Sequence, residues 1–373
     1  MAVKSIRISR FRNLVDPSLF LSDEVNIFYG DNGSGKSSVL EAIYFLLTTK
    51  SFRENKIEIL TNRHSTNGFL LFSYCHVNRA DYRIGIERTP RLPGQIRING
   101  ENIKAASQLA RIVPTLCLDS NSFDLLNGGP TNRRRYLDWG VFHVEHEFAK
   151  IWSDYNTSLK QRNTLLRRGK IPDELFLPWE RQLALCAEKI DLFRAAFVYK
   201  IEPLFEKLLK DLDFSNSGVD ISFSYLRGWD ESISLELLLE KNREKDRKAG
   251  FTQLGPHRAD LKIRVGKFQA DQVLSRGQQK LLVCAMVIAQ AVFIKNEWNK
   301  DVVVILDDVV AELDNKALNK VLKILTNIGA QVILSTIEKD KALMMREFCI
   351  STHDVKLFHV EHGNISEYDA TLT

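Results

Sequence analysis

The chain has 373 residues, about twice the usual single-domain length, so two lobes or one large interrupted domain are expected and a small isolated module is excluded. With 44% hydrophobic and 27% charged residues and only 19 Gly and 9 Pro, it is neither disordered nor low-complexity nor collagen-like. The formal charge of +5 permits a polyanionic partner without requiring one.

The opening segment alternates apolar and polar residues at Val3, Ile6 and Ile8, and Val25 to Tyr29 is a second apolar strand. From Lys36 the run KSSVLEAIYFLL has helical spacing. Residues 68–99 read as a β-meander that ends in the hairpin signal Asn99-Gly100, and Val113 to Leu118 as a further strand. After Asn127-Gly128-Gly129-Pro130, long charged-apolar helices are expected from about Glu147 to Asp211, broken near Gly169 and at Pro172. A charged helix ends in Glu240 to Lys248, and β-type sequence returns at Leu261 to Val265. The apolar helix Leu281–Ile294, the buried strand Val302–Leu306, a helix from about Asn315 and the strand Val332–Leu334 complete an α/β sheet covered by helices. The domains expected are residues 1–125 and 249–373 as two halves of one head, and 126–248 as an inserted, mainly helical lobe.

Cys75, Cys117, Cys186, Cys284 and Cys349 are an odd, widely spaced set without a C-x-x-C pair, read as structural thiols of a reducing compartment. No run of roughly 18 consecutive apolar residues and no signal-peptide core is found, so a cytoplasmic location is expected. The pentapeptide Phe142-His143-Val144-Glu145-His146 recurs as Phe358-His359-Val360-Glu361-His362. On a strand its outer His residues face opposite ways, which argues against a metal site and for coincidence.

The strongest motif is Gly30-Asp31-Asn32-Gly33-Ser34-Gly35-Lys36-Ser37, which fits G-x-x-x-x-G-K-[ST] between a strand and a helix. Glycines let backbone N–H groups curl around phosphates, the helix N-terminus adds its dipole, Lys36 neutralises phosphate oxygens and the Ser37 hydroxyl ligates Mg²⁺. Gly30, Asn32, Gly33, Gly35, Lys36, Ser37 and the adjacent Ser38 are therefore the candidate nucleotide-binding set. A second Mg²⁺ anchor is expected at Asp307, at the end of Val302 to Leu306. Asp308 lies where a carboxylate could orient or deprotonate the attacking water, although it is shorter than Glu. The plain alternative is a strand-end Asp pair that caps the next helix.

Leu274-Ser275-Arg276-Gly277-Gln278-Gln279-Lys280, just before the apolar helix, resembles the L-S-G-G-Q signature of the ABC ATPase superfamily. The resemblance implies an ABC-type P-loop ATPase head, with mixed sheets flanked by helices. It also implies that Ser275, Gly277 and Gln278 bind the γ-phosphate held by an opposing subunit. A simple N-cap is the alternative. Glu312-Leu313-Asp314 looks like the D-loop, and Ser335-Thr336 stands where many relatives carry a switch His.

Across the chain the sequence is similar to the RecF family of recombination mediators, non-transporter ABC ATPases close to the heads of the SMC family. Phe11-Arg12-Asn13, Arg133-Arg134-Arg135-Tyr136-Leu137-Asp138, Leu159-Lys160-Gln161-Arg162-Asn163 and Gly255-Pro256-His257-Arg258 carry the likeness. It departs at Leu118 to Asp124, where relatives usually read Pro-Glu-Asp-Leu. The family implies an ATP-dependent homodimer and weak DNA-dependent ATPase that closes on duplex DNA near single-strand gaps. With RecR and RecO it would aid RecA loading in replication-linked repair, recombination and the SOS response. By analogy Arg12 would touch nucleotide phosphate, and His257 would be either a phosphate sensor or a structural histidine. Arg133, Arg134, Arg135, Lys160 and Arg162, with Arg167, Arg168 and Lys170 nearby, could contact DNA phosphates, although a charge run also describes a solvated face. The other readings are an ABC-type ATPase that drives a non-DNA partner and the ATPase of an overcoming-lysogenisation nuclease. The latter would need more chain than follows Asp314.

Overall fold

The computed structural model describes residues 3–54, 56–168, 171–214, 220–309, 312–350 and 354–368. Strands β1 (Val3–Ser9), β2 (Ser18–Phe20) and β3 (Val25–Tyr29) precede the glycine loop, and helix α1 (Lys36–Thr48) follows it. A helical turn α2 (Ile57–Leu60) leads into the meander β4 (Phe69–Val77), β5 (Ala80–Arg88), β6 (Gln95–Ile98) and β7 (Glu101–Asn102). Asn99 and Gly100 have φ of 52° and 89°, the left-handed pair that a two-residue hairpin requires, so this turn forms where the sequence signals it. Helix α3 (Ala106–Ile112) and strand β8 (Thr115–Leu118) follow.

Next come α4 (Asp124–Asn127), α5 (Pro130–Val144), with proline at its first turn, α6 (Phe148–Arg167) and α7 (Leu177–Asp211). Strand β9 (Ile221–Leu226), helices α8 (Leu235–Lys241) and α9 (Arg243–Ala249), strands β10 (Asp260–Val265) and β11 (Phe268–Gln269) and the turn α10 (Ala270–Val273) lead to α11 (Arg276–Trp298). The chain ends β12 (Val303–Leu306), α12 (Asn315–Asn327), β13 (Gln331–Thr336), α13 (Lys339–Ile350), β14 (Val355–Glu361) and β15 (Asn364–Glu367).

Two compact units result: residues 1–122 with 280–373, and residues 123–279. Residues 249–279, expected in the head, fall in the second unit because β10 pairs along its length with β9 in a three-stranded sheet, β11-β10-β9. That unit is therefore helical with a small sheet. Its largest helix pair is α6 against α7, and Phe205 of α7 stacks on Phe223 of β9 with ring centroids 4.6 Å apart.

The first unit holds two six-stranded sheets, β2-β1-β4-β5-β6-β7 and β15-β14-β3-β13-β12-β8. The first sheet is antiparallel, and the second is parallel from β14 through β8. Helix α1 joins their inner faces in one core with Val39, Leu40, Ile43 and Leu46, against Ile6, Ile8, Phe69, Leu71, Ile84 and Ile86 of one sheet and Ile305, Ile333 and Phe358 of the other. Buried on nearly every side, α1 needs no polar face, which explains its near-continuous apolar run.

The repeated pentapeptide takes two conformations: Phe142 to Val144 end helix α5, whereas Phe358 to Glu361 lie in strand β14. In the strand copy Phe358 stacks on Phe28 and His359 on Tyr29. The two copies thus share no conformation, and among the described residues no group of three or more His, Cys, Asp or Glu side chains could hold a metal. The described cysteines are free thiols, four buried and Cys117 half-buried. One helix, α11, has the length and hydropathy of a membrane span, but 67% of its apolar window is buried inside the protein, as in a core helix.

Candidate nucleotide site

Strands β3, β13 and β12 are parallel neighbours, so their C-terminal ends meet on one edge of the sheet. β3 delivers the glycine loop. Gly30 has φ 150°, and a Cβ there would lie 2.2 Å from the Val360 carbonyl oxygen, so no side chain fits. Helix α1 starts at Lys36 with Gly35 as an N-cap that offers no side chain, which leaves its first N–H groups for an anion. Lys36 is buried, and its ammonium donates to the Gly30 and Asp31 carbonyls at 2.9 Å each. Burial lowers its pKa, while Asp308, Asp307 and Asp31 pull it back up.

β12 delivers Asp307, which is buried, and Asp308, which is exposed. Between them and the glycine loop lies the end of β13. Its Ser335 hydroxyl donates to Asp307 Oδ1 at 2.9 Å and accepts from the Asp308 N–H at 3.0 Å. Burial pushes Asp307 up to about 6, the Asp308 charge adds to this, and hydrogen bonds from Ser37 and Ser335 oppose it. The expected metal anchors, Ser37 and Asp307, are thus brought together. A hydroxyl and a carboxylate are hard oxygen donors that suit Mg²⁺, whose remaining positions water and phosphate oxygens would fill. Asp308 adopts φ 57°, an uncommon left-handed conformation for a non-glycine residue, and borders the cavity beside Lys36 and Ser37. The Asp307 N–H donates to the Leu118 carbonyl at 2.9 Å, so the loop after β8 is tied to this edge, and the Asp119 carboxylate is satisfied locally by Ser122 and Asn121.

The cavity holds about 990 Å³ and is bordered by Asn32, Gly33, Gly35, Lys36, Ser37 and Ser38. Arg12 borders it too, but not as a free cation: Nε and one terminal nitrogen donate to the Glu41 carboxylate at 2.8 Å each, and the other to the Ile59 carbonyl. Glu41 is fully buried and also takes a hydrogen bond from Ser51. Arg12 therefore neutralises Glu41 and pins the wall, so the expected phosphate contact would come from a guanidinium already engaged in this pair. Asn13 donates to the Gly33 carbonyl and accepts from the Ser38 hydroxyl at 2.9 Å, holding the loop from outside. Ser38 is thereby committed within the chain.

Sequence reasoning missed the opposite wall, to which Arg53, Thr61, Asn62, Arg63 and His64 contribute. An antiparallel bridge between Phe11 and Thr61, with backbone bonds Arg12 to Leu60 and Asn62 to Arg10, brings this loop in. No periodic pattern marks it. The one available signal was a cluster of cations and amides after the helix that follows the glycine loop.

In the second unit, Ser275 and Gln278 form a capping box: the Ser275 N–H donates to the Gln278 side chain at 2.9 Å, and the Gln278 N–H to the Ser275 hydroxyl at 3.4 Å. The N-cap alternative is thus realised, and the Gln278 side chain is used within the chain. Gly277 is different, because a Cβ there would meet nothing within 4 Å, so the fold of this chain does not demand a glycine. In the first unit Lys280, next along α11, pairs with Glu312 of the expected D-loop, while Asp314 caps α12 through the Ala317 N–H at 2.8 Å.

The expected DNA-binding set divides. Arg162 is fully buried and donates to Glu180 at 3.0 Å, Asp246 at 2.7 Å, Thr252 at 2.8 Å and the Leu239 carbonyl at 2.9 Å. It holds α6, α7 and α9 together and cannot reach DNA. Arg133 is paired with Asp260 at 2.7 Å and donates to the Gly128 carbonyl, and Arg134 donates to the Ala259 carbonyl. Arg135, Lys160 and Arg168 are exposed, and Lys170 lies outside the described residues. His257 joins Tyr155 at 2.6 Å and the Thr252 carbonyl at 2.9 Å, and burial lowers it to about 4. With both ring nitrogens engaged and burial disfavouring its charged form, this geometry fits the structural alternative of the two expected for it.

The parallel sheet, the phosphate-type loop and the Asp307 strand end define a P-loop head, and residues 2–362 match the RecF/RecN/SMC N-terminal domain model. Full-length relatives narrow this: the chain belongs to the RecF family. It is 37% identical over 367 residues to the DNA replication and repair protein RecF of Pseudomonas paraeruginosa, covering 98% of each chain. The Azotobacter vinelandii protein of that name is also 37% identical, over 98% of this chain and 99% of its own. Among solved structures, the recombination mediator protein RecF with ATP, of the RecFOR pathway, superposes with a TM-score of 0.87 at 24% identity, over 99% of this chain and 98% of its own. An SMC head bound to the C-terminal winged-helix domain of ScpA gives 0.59 at 14% identity, over 99% of this chain and 98% of its own. These two likenesses concern the fold.

Proposed function

We propose that this chain is an ATP-gated DNA clamp of recombinational repair. The observation that carries the reading is that Asp308 borders one cavity with Lys36 and Ser37, while Ser335 ties it to the buried Asp307, which Ser37 also reaches. The ATP phosphates lie in the glycine loop, and Lys36 leaves its two loop carbonyls to neutralise them. Ser37 and Asp307 would hold Mg²⁺, which would supply charge neutralisation at the phosphate oxygens. Asp308 takes a proton from the attacking water as its oxygen bonds to the γ-phosphorus and the bond to the ADP oxygen breaks. A short carboxylate on a left-handed backbone makes hydrolysis slow, as suits a weak, DNA-stimulated ATPase switch.

Ser275 and the open backbone at Gly277 bind the γ-phosphate of a second copy, so the dimer exists only with ATP. ATP has differential affinity for the two states because the second phosphate site is absent from the monomer. Arg135, Lys160 and Arg168 contact duplex phosphates near single-strand gaps. RecR and RecO are the partners and RecA loading is the outcome, in the cytoplasm. The test is binding to a labelled gapped duplex with Mg-ATP, Mg-ADP or no nucleotide, at two salt concentrations. Tight, salt-sensitive binding only with ATP is expected. ATP binding without any DNA binding would overturn the clamp.

A further inference from the structure

Strand β14 lies parallel beside β3, with Phe358 opposite Phe28 and His359 opposite Tyr29, so that where β3 runs into the glycine loop β14 runs into its own turn alongside. That turn is His362-Gly363, which joins β14 to β15 beyond the closing pair Glu361–Asn364. Its φ values of 48° and 81° are both positive, as a two-residue hairpin turn requires. His362 and Asn364 are exposed, but Gly363 is buried. Its N–H donates to the Ser34 carbonyl at 2.8 Å, and its carbonyl accepts from the Val15 N–H at 3.0 Å. A Cβ at 363 would lie 2.0 Å from the Asn13 carbonyl oxygen and 3.0 Å from the carbonyl carbon, backbone atoms that cannot rotate aside. Among the described residues that border the cavity are Gly33 and Gly35, but not Ser34 or Gly363. A trans peptide is planar, and its C=O and N–H point in opposite directions. With the Ser34 carbonyl held by the turn, the Gly35 N–H faces the other way, at the N-cap of α1.

We propose that the His362-Gly363 turn is a positioning element of the nucleotide loop, which holds the Ser34–Gly35 peptide so that the Gly35 N–H is aimed at a phosphate oxygen. A glycine-rich loop has many backbone states of similar energy, and an anion site made of N–H groups needs one of them fixed in advance. The Asn13 side chain fixes the preceding carbonyl, that of Gly33, whereas the turn fixes the peptide that carries the N-cap donor. This role presupposes that the loop holds ATP phosphates, and it gives a part in that binding to a segment distant in sequence that touches no nucleotide.

The test is equilibrium binding of ATP carrying a fluorescent ribose label to the full chain, without DNA. Gly363→Ala should raise the Kd roughly 10- to 100-fold, the effect of misdirecting one hydrogen bond to a charged group, at an unchanged number of sites per chain. Incomplete folding would instead lower the number of sites and leave the Kd of the remainder as in the wild type. Gly100→Ala is the control. Gly100 also sits in a left-handed hairpin turn, at φ 89°, but a Cβ there meets nothing within 4 Å, so this variant shares the backbone strain without the displacement and should bind ATP as the wild type does. Amide hydrogen exchange in the wild type is a second readout that needs no substitution. Coupling between sites is reciprocal, so ATP should slow exchange at Gly363 although the turn lies outside the cavity. A wild-type Kd in Gly363→Ala, an equal rise in Gly100→Ala, or exchange at Gly363 indifferent to ATP would each overturn the proposal while the nucleotide site stands. A wild type that binds no ATP would overturn both.

Discussion

Asp307→Asn should raise the stability of the nucleotide-free chain and reverse sign when Mg-ATP is added. The wild-type carboxyl is held at about 6 against an ordinary 3.8, first by burial and then by Asp308. At 1.36 kcal/mol per pKa unit, the folded state carries a penalty of about 3 kcal/mol for ionising it. The group is only 7% exposed, so solvent screening removes little of this. Because the folded pKa lies above the unfolded one, stability is lost as pH rises from below 3.8 through about 6 and is level beyond. Asparagine keeps an oxygen for the Ser335 hydroxyl and carries no charge, so about 3 kcal/mol is the upper limit of the gain. Lys36 loses one of its carboxylate neighbours, which returns part of it. Thermal or denaturant unfolding at about pH 8 and about pH 5 reads this out, with a gain that falls by roughly half at the lower pH. With Mg-ATP the wild type should overtake the variant. A variant less stable than wild type at about pH 8 without nucleotide, or a gain independent of pH, would refute the reasoning.

Arg162→Met should destabilise the second unit by about 3–5 kcal/mol, because Glu180 and Asp246 remain buried with a partner removed; an unchanged denaturation midpoint would show that the network contributes nothing. Gly140→Ala drives a Cβ to 2.2 Å from the Phe197 ring and should cost about 1–3 kcal/mol, partly recovered by adding Phe197→Leu in a double-mutant cycle. Gly277→Leu should melt at or above the wild-type temperature, since its Cβ meets nothing and leucine favours helix, yet abolish ATP-induced dimers in light scattering. Normal dimers would remove Gly277 from the interface.

Segments whose structure depends on near neighbours in the chain were legible beforehand. The glycine loop between strand and helix is one contiguous run, and Asn99-Gly100 carries its own backbone preference, so both lie where the sequence places them. Asp307 was legible for the same reason, as the first polar residue after an unbroken apolar strand. Arginine at 162 was not, because whether a charged residue in a basic helix faces water or ion partners depends on Glu180, Asp246 and Thr252, distant in sequence. The same held for Arg12, whose role rests on buried Glu41, and for Ser335, read as a switch position and found joining two neighbouring carboxylate residues.

Only the tertiary structure decided two further matters. Residues 249–279 leave the expected head because β10 pairs with β9, a choice of partner that no local pattern in Leu261 to Val265 expresses. Phe-His-Val-Glu-His ends a helix at one site and extends a strand at the other, since five residues have too little intrinsic preference to resist β3 beside them or α5 before them. By itself the sequence determined the chemistry available, a glycine loop of phosphate-binding type, a strand-end carboxylate pair and a capped helix start. Long-range pairing and burial decided which charged groups remain free to use it, because the cost of burying a charge is set by the partners that folding brings to it.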